Sequence, residues 1–205
     1  VTQLSAAGRS EQGFVTLAQW AAKGAHLLQV DLDLVPGDRV LVDIPPGWTL
    51  AVVCAAIWWV GGTVVVPSAD GDDGEVVGAV AHVARRRPRA PEVYVVGDAV
   101  DGGTDGAGGD LVWAEEVQAF PDQPPARAAA GRLLALEDAG VSQTHGELVG
   151  MLAAESGVLG VDRDGFTGSG VVEVAARPLV TGRATVVLDG VDRAAAAGDR
   201  VTAWA

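Results

Sequence analysis

The stretch from Leu34 to Pro67, LVPGDRVLVDIPPGWTLAVVCAAIWWVGGTVVVP, constrains the fold more than any other part of the chain. Pro36, Gly37 and Asp38 are a turn signal. Val40 to Ile44 is a short, nearly continuous apolar run, the pattern of a parallel strand buried on both faces. Pro45, Pro46 and Gly47 interrupt it. Trp48 to Val60 is apolar nearly all round, so the helix expected there lies between layers instead of on a surface. Gly61 and Gly62 then lead into Thr63 to Val66 and a closing Pro67. Strand, helix and strand in about thirty residues make a βαβ unit, with the right-handed crossover that such units adopt.

The rest of the chain extends this pattern to an α/β fold of mostly parallel sheets flanked by helices. Gly13 to Val30 has helical periodicity. Thr16 and Gln19 are spaced as a capping box, and Val15 and Trp20 as a hydrophobic staple. Asp72 and Glu75 suit the start of a helix running to about Arg86. Its end would carry Arg85, Arg86, Arg87 and Arg89, complementing the helix dipole. Pro91 to Val96 is a predicted strand, Gly97 to Asp110 a surface loop, and Leu111 to Phe120 a further strand and turn. Pro121 to Pro125 is a linker, dividing the chain into an expected α/β subdomain at 1–120 and a smaller one at 126–205. In the second part, strands are expected at Arg132 to Leu136, Ala184 to Leu188 and Val201 to Trp204, helices at Thr144 to Val158 and Val171 to Leu179, and a turn at Asp162 to Gly170. No internal repeat is visible.

Composition narrows the function classes. Of 205 residues, 49% are hydrophobic, enough for a sizeable core. The net charge of −13 argues against non-specific binding to nucleic acid or anionic membrane. Any nucleotide would need backbone amides or arginines working against that field. The single cysteine, Cys54, lies in the apolar helix, which excludes an internal disulfide and reads as a small buried hydrophobe. The first residues lack the pattern of a signal peptide, and the apolar run from Leu50 to Val60 is short of the roughly 20 residues that span a bilayer, so a cytoplasmic protein is expected. Lys23 is the only lysine, which limits any mechanism needing an ammonium group. Alanine, glycine, valine and arginine dominate, as in proteins of high-GC bacteria.

Few residues stand out as candidate site residues. Thr144 and Glu147 are spaced as a capping box, with His145 between them in the first helical turn. Gly165, Gly168 and Gly170 precede a helix and could present amides to an anion, although their spacing is not that of a dinucleotide loop. His26 and His82 have no carboxylate or cysteine at metal spacing, the aspartates between 98 and 110 do not follow a calcium-loop pattern, and no Gly-x-Ser-x-Gly elbow is present. No catalytic residue and no metal site are assigned. Trp48, Trp58 and Trp59 suit core packing, a ligand pocket or a dimer surface.

Several of these segments together resemble the large N-terminal domain of the adenylate-forming superfamily, which includes acyl-CoA synthetases, peptide-synthetase adenylation domains and luciferases. The resemblance is carried by PGDRV at Pro36 to Val40, the Pro45–Pro46 break, the apolar helix, and GGTVVVP at Gly61 to Pro67. It continues in GVSQTH at Gly140 to His145, similar to the segment that follows the family's phosphate loop, and in RPLVTGRATVVL at Arg177 to Leu188. The pattern also resembles a family of short high-GC bacterial proteins related to AMP-binding enzymes. The family implies ATP and AMP binding through a Ser/Thr/Gly-rich loop ending in Pro-Lys-Gly. Here Leu133 to Ala139 (LLALEDA) stands in its place, without the glycines or the lysine and with Glu137 and Asp138 instead. The family's later adenine- and ribose-binding motifs and its mobile C-terminal domain have no counterpart in these residues. The expectation is a truncated, non-catalytic homologue that binds a small ligand, a protein partner or a second copy as a homodimer, with no cofactor. The alternative is an AMP-forming ligase activity, with ATP or AMP bound, completed by a partner chain.

Overall fold

A computed structural model describes residues 1–6, 8–85, 87–97, 111–153, 155–163 and 170–204. The strands are β1 (Thr2–Ser5), β2 (Gly8–Glu11), β3 (Arg39–Asp43), β4 (Thr63–Val65), β5 (Gly78–His82), β6 (Val93–Val96), β7 (Leu111–Val112), β8 (Leu134–Asp138), β9 (Val141–Thr144), β10 (Val158–Asp162), β11 (Thr185–Asp189) and β12 (Val201–Trp204). The helices are α1 (Phe14–Asp31), α2 (Trp48–Val60), α3 (Trp113–Glu116), α4 (His145–Leu152) and α5 (Arg177–Thr181), the last preceded by a wide π-type helix, Val171–Ala176.

One sheet has the order β7-β6-β5-β3-β4-β8-β9 and the other β12-β10-β11-β1-β2. The first is parallel except for β9, the second parallel except for β2. The strand–helix–strand unit read from the sequence is present as β3-α2-β4, with Val40 paired to Val64. On its other side Val40 pairs with Gly78 of β5. The middle of such a strand, flanked on both edges and covered on both faces, exposes no polar position, which is why Val40 to Val42 read as a continuous apolar run between the partly exposed Arg39 and Asp43.

Alternation sorts the two faces of the larger sheet. Val40, Val42, Val64, Val80 and Tyr94 turn toward the main core, which also takes in α1, α2, the wide helix and residues of β10 and β11. Leu41, Val65, Ala79 and Val93 turn the other way, into a smaller cluster under the loop carrying Val76. Helix α2 is buried all round because α1, the wide helix and strands of both sheets share its core. Its C-terminus closes on Gly61, whose φ of 89° is the left-handed conformation that glycine accepts without strain.

Several expectations are corrected. No helix runs from Asp72 to Arg86. The apolar run at 76–83 supplies β5, every residue of which is buried between β3 and β6, and Arg85 instead lies 3.6 Å from Asp43. At Gly78 a Cβ would come within 2.6 Å of Leu32, so glycine at this position permits close packing. Helix α1 starts one turn earlier than the Thr16 box requires, after Gly13, with no side-chain cap, and Val15 is 75% exposed and staples nothing. The second part holds more strand than expected: α4 ends at Leu152, and residue 158 begins β10. Gly160 interrupts that strand's pattern because the Trp204 ring lies over it, 2.3 Å from where a Cβ would be. The predicted loop from Gly97 to Asp110 lies, beyond its first residue, outside the described residues.

Each sheet takes strands from both sides of the proline-rich linker at 121–125. The linker itself is tied down. Lys23, the only lysine, donates to the Phe120 carbonyl at 2.7 Å and pairs with Asp122 at 2.9 Å. The His26 ring reaches the Gln123 carbonyl at 2.9 Å and stacks on Phe120. The indole N–H of Trp59 donates to Pro125 and that of Trp58 to Ala135, both at 2.8 Å. These two tryptophans therefore act as clamps on the following segment, while Trp48 packs edge-on against Trp20.

Candidate functional site

The segment that resembles the surroundings of a phosphate loop forms a β-hairpin. β8 and β9 pair antiparallel from Leu134↔Thr144 to Asp138↔Val141. Only Ala139 and Gly140 join them, at φ of 45° and 83°. Positive φ at both central residues is the signature of the tight primed turns that match strand twist. Such a turn leaves no free run of amides to wrap around a phosphate chain.

The carboxylates before the turn have separate fates. Glu137 accepts from the Arg39 guanidinium at 2.6 and 3.0 Å. Arg39 also donates to the carbonyls of Glu75 and Asp73, at 2.6 and 2.9 Å, and so fastens the loop before β5 across the sheet. Asp138 instead lines an open crevice of about 770 Å³ at the carboxyl ends of β3, β4 and β8, with Asp43, Asp70, Asp72 and Arg85. Partial burial raises the Asp43 carboxyl above its ordinary pKa, against the opposing charges of Arg85 and His82. Among the described residues no group of three or more His, Cys, Asp or Glu side chains could hold a metal ion.

Thr144 caps α4 in the way its spacing predicts. Its hydroxyl accepts from the Glu147 amide at 3.2 Å, and the Glu147 carboxylate accepts from the Thr144 amide at 2.8 Å. His145 follows at the first helical position, its backbone N–H donating to Leu133 at 3.0 Å. Its Nε2 is buried and has no hydrogen-bond partner. Burial lowers the imidazole pKa below the ordinary 6.5, with a hydrogen bond to the Gly62 backbone opposing and the Arg127 charge reinforcing. Because the folded pKa lies below the unfolded one, His145 contributes stability that is fully present above about pH 6.5 and is lost as pH falls below it. Urea melts of the wild type and His145→Gln between pH 7.5 and 5 should therefore show a shallower pH slope in the variant. An unchanged slope would remove His145 from that linkage.

Gly170 is buried just before the wide helix with ordinary right-handed helical dihedrals, φ −59° and ψ −38°. Gly165 and Gly168 lie outside the described residues. Thr144, His145 and Gly170 do not line the acidic crevice. Cys54 is buried, and desolvation pushes its thiol pKa up, as expected for a core residue.

A second concavity had no sequence signal. It is a cavity of about 140 Å³ between the two sheets, where residues after β3 and at the end of β5 and β6 meet residues of β1, β2 and β11 and Arg163 just beyond β10. Its walls include Gln3, Ile44, Trp48, Val96, Arg163 and Asp189. These residues come from five segments far apart in the chain, so no local spacing could have grouped them. No described helix is long and apolar enough to cross a membrane.

No family model matches the chain. A stretch of 64 residues is 38% identical to a TIGR03089 family protein of Mycobacterium tuberculosis, covering 31% of this chain and 26% of that protein. The fold is similar to a crystal structure of an acyl-CoA synthetase from Brucella canis, with a TM-score of 0.71 at 18% identity, over 93% of this chain and 40% of that one. It is also similar to a fatty acyl CoA synthetase of Mycobacterium tuberculosis, with a TM-score of 0.68 at 13% identity, over 97% of this chain and 44% of that one. The chain thus spans less than half the length of either enzyme and about a quarter of the curated relative. With its parallel sheets, its buried β3-α2-β4 unit and these likenesses, the chain has the α/β fold of the N-terminal part of the adenylate-forming, acyl-CoA-synthetase-like enzymes.

Proposed function

We propose that this chain is a non-catalytic homologue of the acyl-CoA synthetase N-terminal domain, acting in the cytoplasm as a ligand-binding or protein-interaction module without a nucleotide cofactor. The reading rests chiefly on the two-residue turn at Ala139 and Gly140, in the place where the family resemblance puts a phosphate-binding loop. The crevice beside the turn adds support. Among the described residues it presents Asp43, Asp70, Asp72 and Asp138 against a single arginine, and a triphosphate there would meet like charges. Lys23, the one ammonium side chain, is engaged with Phe120 and Asp122 on the linker. A protein partner or a second copy has an apolar edge to meet. β9 is an outer strand, and Val141, Val149 and Met151 beside it are 63%, 51% and 46% exposed.

Thermal melts with Mg-ATP, AMP and acyl-CoA test the reading. A ligand at about a hundred times its Kd would add about 2.7 kcal/mol of stability. The expected result is an unchanged Tm with all three and no acid-dependent pyrophosphate exchange. A clear rise with ATP together with that exchange would overturn the reading and support a ligase completed by a partner chain.

A further inference from the structure

Each sheet ends in two outer strands, and an outer strand leaves backbone amides and carbonyls open to pairing. Three of the four carry some protection. β7 is only two residues long. β2 holds Arg9 and Glu11, which pair with each other, and Arg9 also pairs with Asp199. At β12 the Arg193 guanidinium lies 4.7 Å from the centre of the Trp204 ring, which sets a charge beside that strand. β9 has no such device. Its residues, Val141, Ser142, Gln143 and Thr144, include no charge and no proline, and Val141 is 63% exposed.

The pairing pattern fixes which groups of β9 are open. Successive residues of a strand turn their backbone groups to opposite sides. The Glu137 carbonyl of β8 accepts from Val66 at 2.9 Å, on the β4 side. Ser142 lies opposite Glu137, so its own N–H and C=O point away from β8, toward the open edge. Thr144, the next residue turned that way, gives its N–H to the Glu147 carboxylate at 2.8 Å. An open donor and an open acceptor therefore sit together on one residue in the middle of the edge. The side chains alternate too. Val141 and Gln143 share the face that carries α4, where the Gln143 amide reaches the Met151 Sδ at 3.7 Å.

We propose that a second copy of this chain pairs with β9, antiparallel, about a two-fold axis at Ser142. The inference rests on the protein-interaction half of the reading above and names the partner. In this arrangement the Ser142 N–H of each copy donates to the Ser142 carbonyl of the other, so the open groups of both copies are used. The same register sets Val141 of one copy beside Gln143 of the other, and so against the Met151 next to it, twice by symmetry. The patch is complementary to itself, as a two-fold contact requires. Area agrees. Four of the ten large apolar side chains exposed among the described residues, Leu134, Val141, Val149 and Met151, fall within 134–152. Side chains of this size and exposure offer roughly 300–400 Å² per copy, comparable to the largest apolar patch of a typical monomer. Joined to strand backbone from two copies, they approach the roughly 1,200 Å² of the smallest specific interfaces. A reversible, micromolar dimer follows. Each copy carries a charge of −13 and β9 carries none, so salt screens repulsion between the copies without breaking an ion pair in the contact.

Sedimentation equilibrium of the full chain from micromolar to millimolar concentration tests this. A monomer–dimer equilibrium is expected, tightening as sodium chloride rises. Val141→Lys should weaken it at least about tenfold, because the dimer loses two apolar contacts and gains two charges on the edge. Ser142→Pro removes an outward N–H alone, and should give a monomer with an unchanged circular dichroism spectrum. Should either variant not fold, cross-linking decides. A short bismaleimide should join Ser142→Cys into dimers and leave Val15→Cys, at a position 75% exposed, unlinked; Cys54 is buried and does not compete. A monomer at every concentration, a dimer indifferent to Val141→Lys, weakening by salt, or equal linking at both sites would each overturn the proposal. Those failures leave the non-catalytic reading standing, whereas pyrophosphate exchange would overturn that reading without touching the dimer contact.

Discussion

Replacing Ile57 by alanine is expected to cost about 3–4 kcal/mol of folding stability, among the larger effects for a single apolar truncation. Ile57 is 0% exposed in the middle of a helix that contributes nine buried residues to the main core. It also carries the turn after the helix, since a Cβ at Gly62 would come within 2.9 Å of its Cγ2. With α1 and the wide helix on two sides and sheets beyond, the surroundings have little freedom to collapse into the space left behind. For a chain of this size, the loss corresponds to a fall in Tm of about 10 °C. Urea denaturation of the variant beside Val15→Ala, at a position 75% exposed, provides the comparison. The surface change should stay within about 0.5 kcal/mol. A loss below about 1 kcal/mol at Ile57 would mean that α2 is not packed on all sides.

Gly24→Val is expected to destabilise by about 2 kcal/mol, despite replacing a mid-helix glycine. Propensity alone predicts a gain of a few tenths of a kcal/mol. Space decides against it. A Cβ at Gly24 would sit 2.6 Å from Cζ2 and 3.0 Å from Cη2 of Trp113, and 3.1 Å from the Ala56 Cβ. Trp113 is 2% exposed and meets Tyr94 edge-on at 5.9 Å, so the ring has no room to withdraw. Gly24 is where α1 comes close to α2 and α3 together. Chemical denaturation measures the loss, and a red shift of tryptophan emission would report the displaced ring. A stabilised Gly24→Val would show that propensity outweighs the contact.

The parts of the fold legible in sequence are those whose burial pattern is local. The middle of β3, α2 and β4 are largely apolar on every face because each is covered on every face, and a continuous apolar run conveys that directly. The Thr144 capping box was readable for the same reason: donor and acceptor lie three residues apart. β5 was misread because acidic residues before an apolar run also suit a helix start, and only its position between β3 and β6 selects the strand. β1 and β2 gave no signal: they are four residues each, and β1 gains its place by pairing with β11, some 180 residues away.

Glu137 and Asp138 illustrate the division within the site itself. Their place before Gly140 was visible, and with it the departure from a phosphate loop. That Glu137 is committed to Arg39 while Asp138 lines a crevice follows from strand alternation and register in the folded sheet.

By itself, then, the sequence determined the buried β3-α2-β4 unit, the α/β class and the resemblance to adenylate-forming enzymes, because these depend on residues near one another in the chain. The tertiary structure alone decided that Lys23 fastens the linker, that Leu134 to Thr144 forms a tight hairpin, and that Gln3, Gly47, Arg163 and Asp189 share one cavity. The reason is physical: strand pairing and the crossing of the chain at β3 bring together groups that no local hydrophobic period or spacing connects.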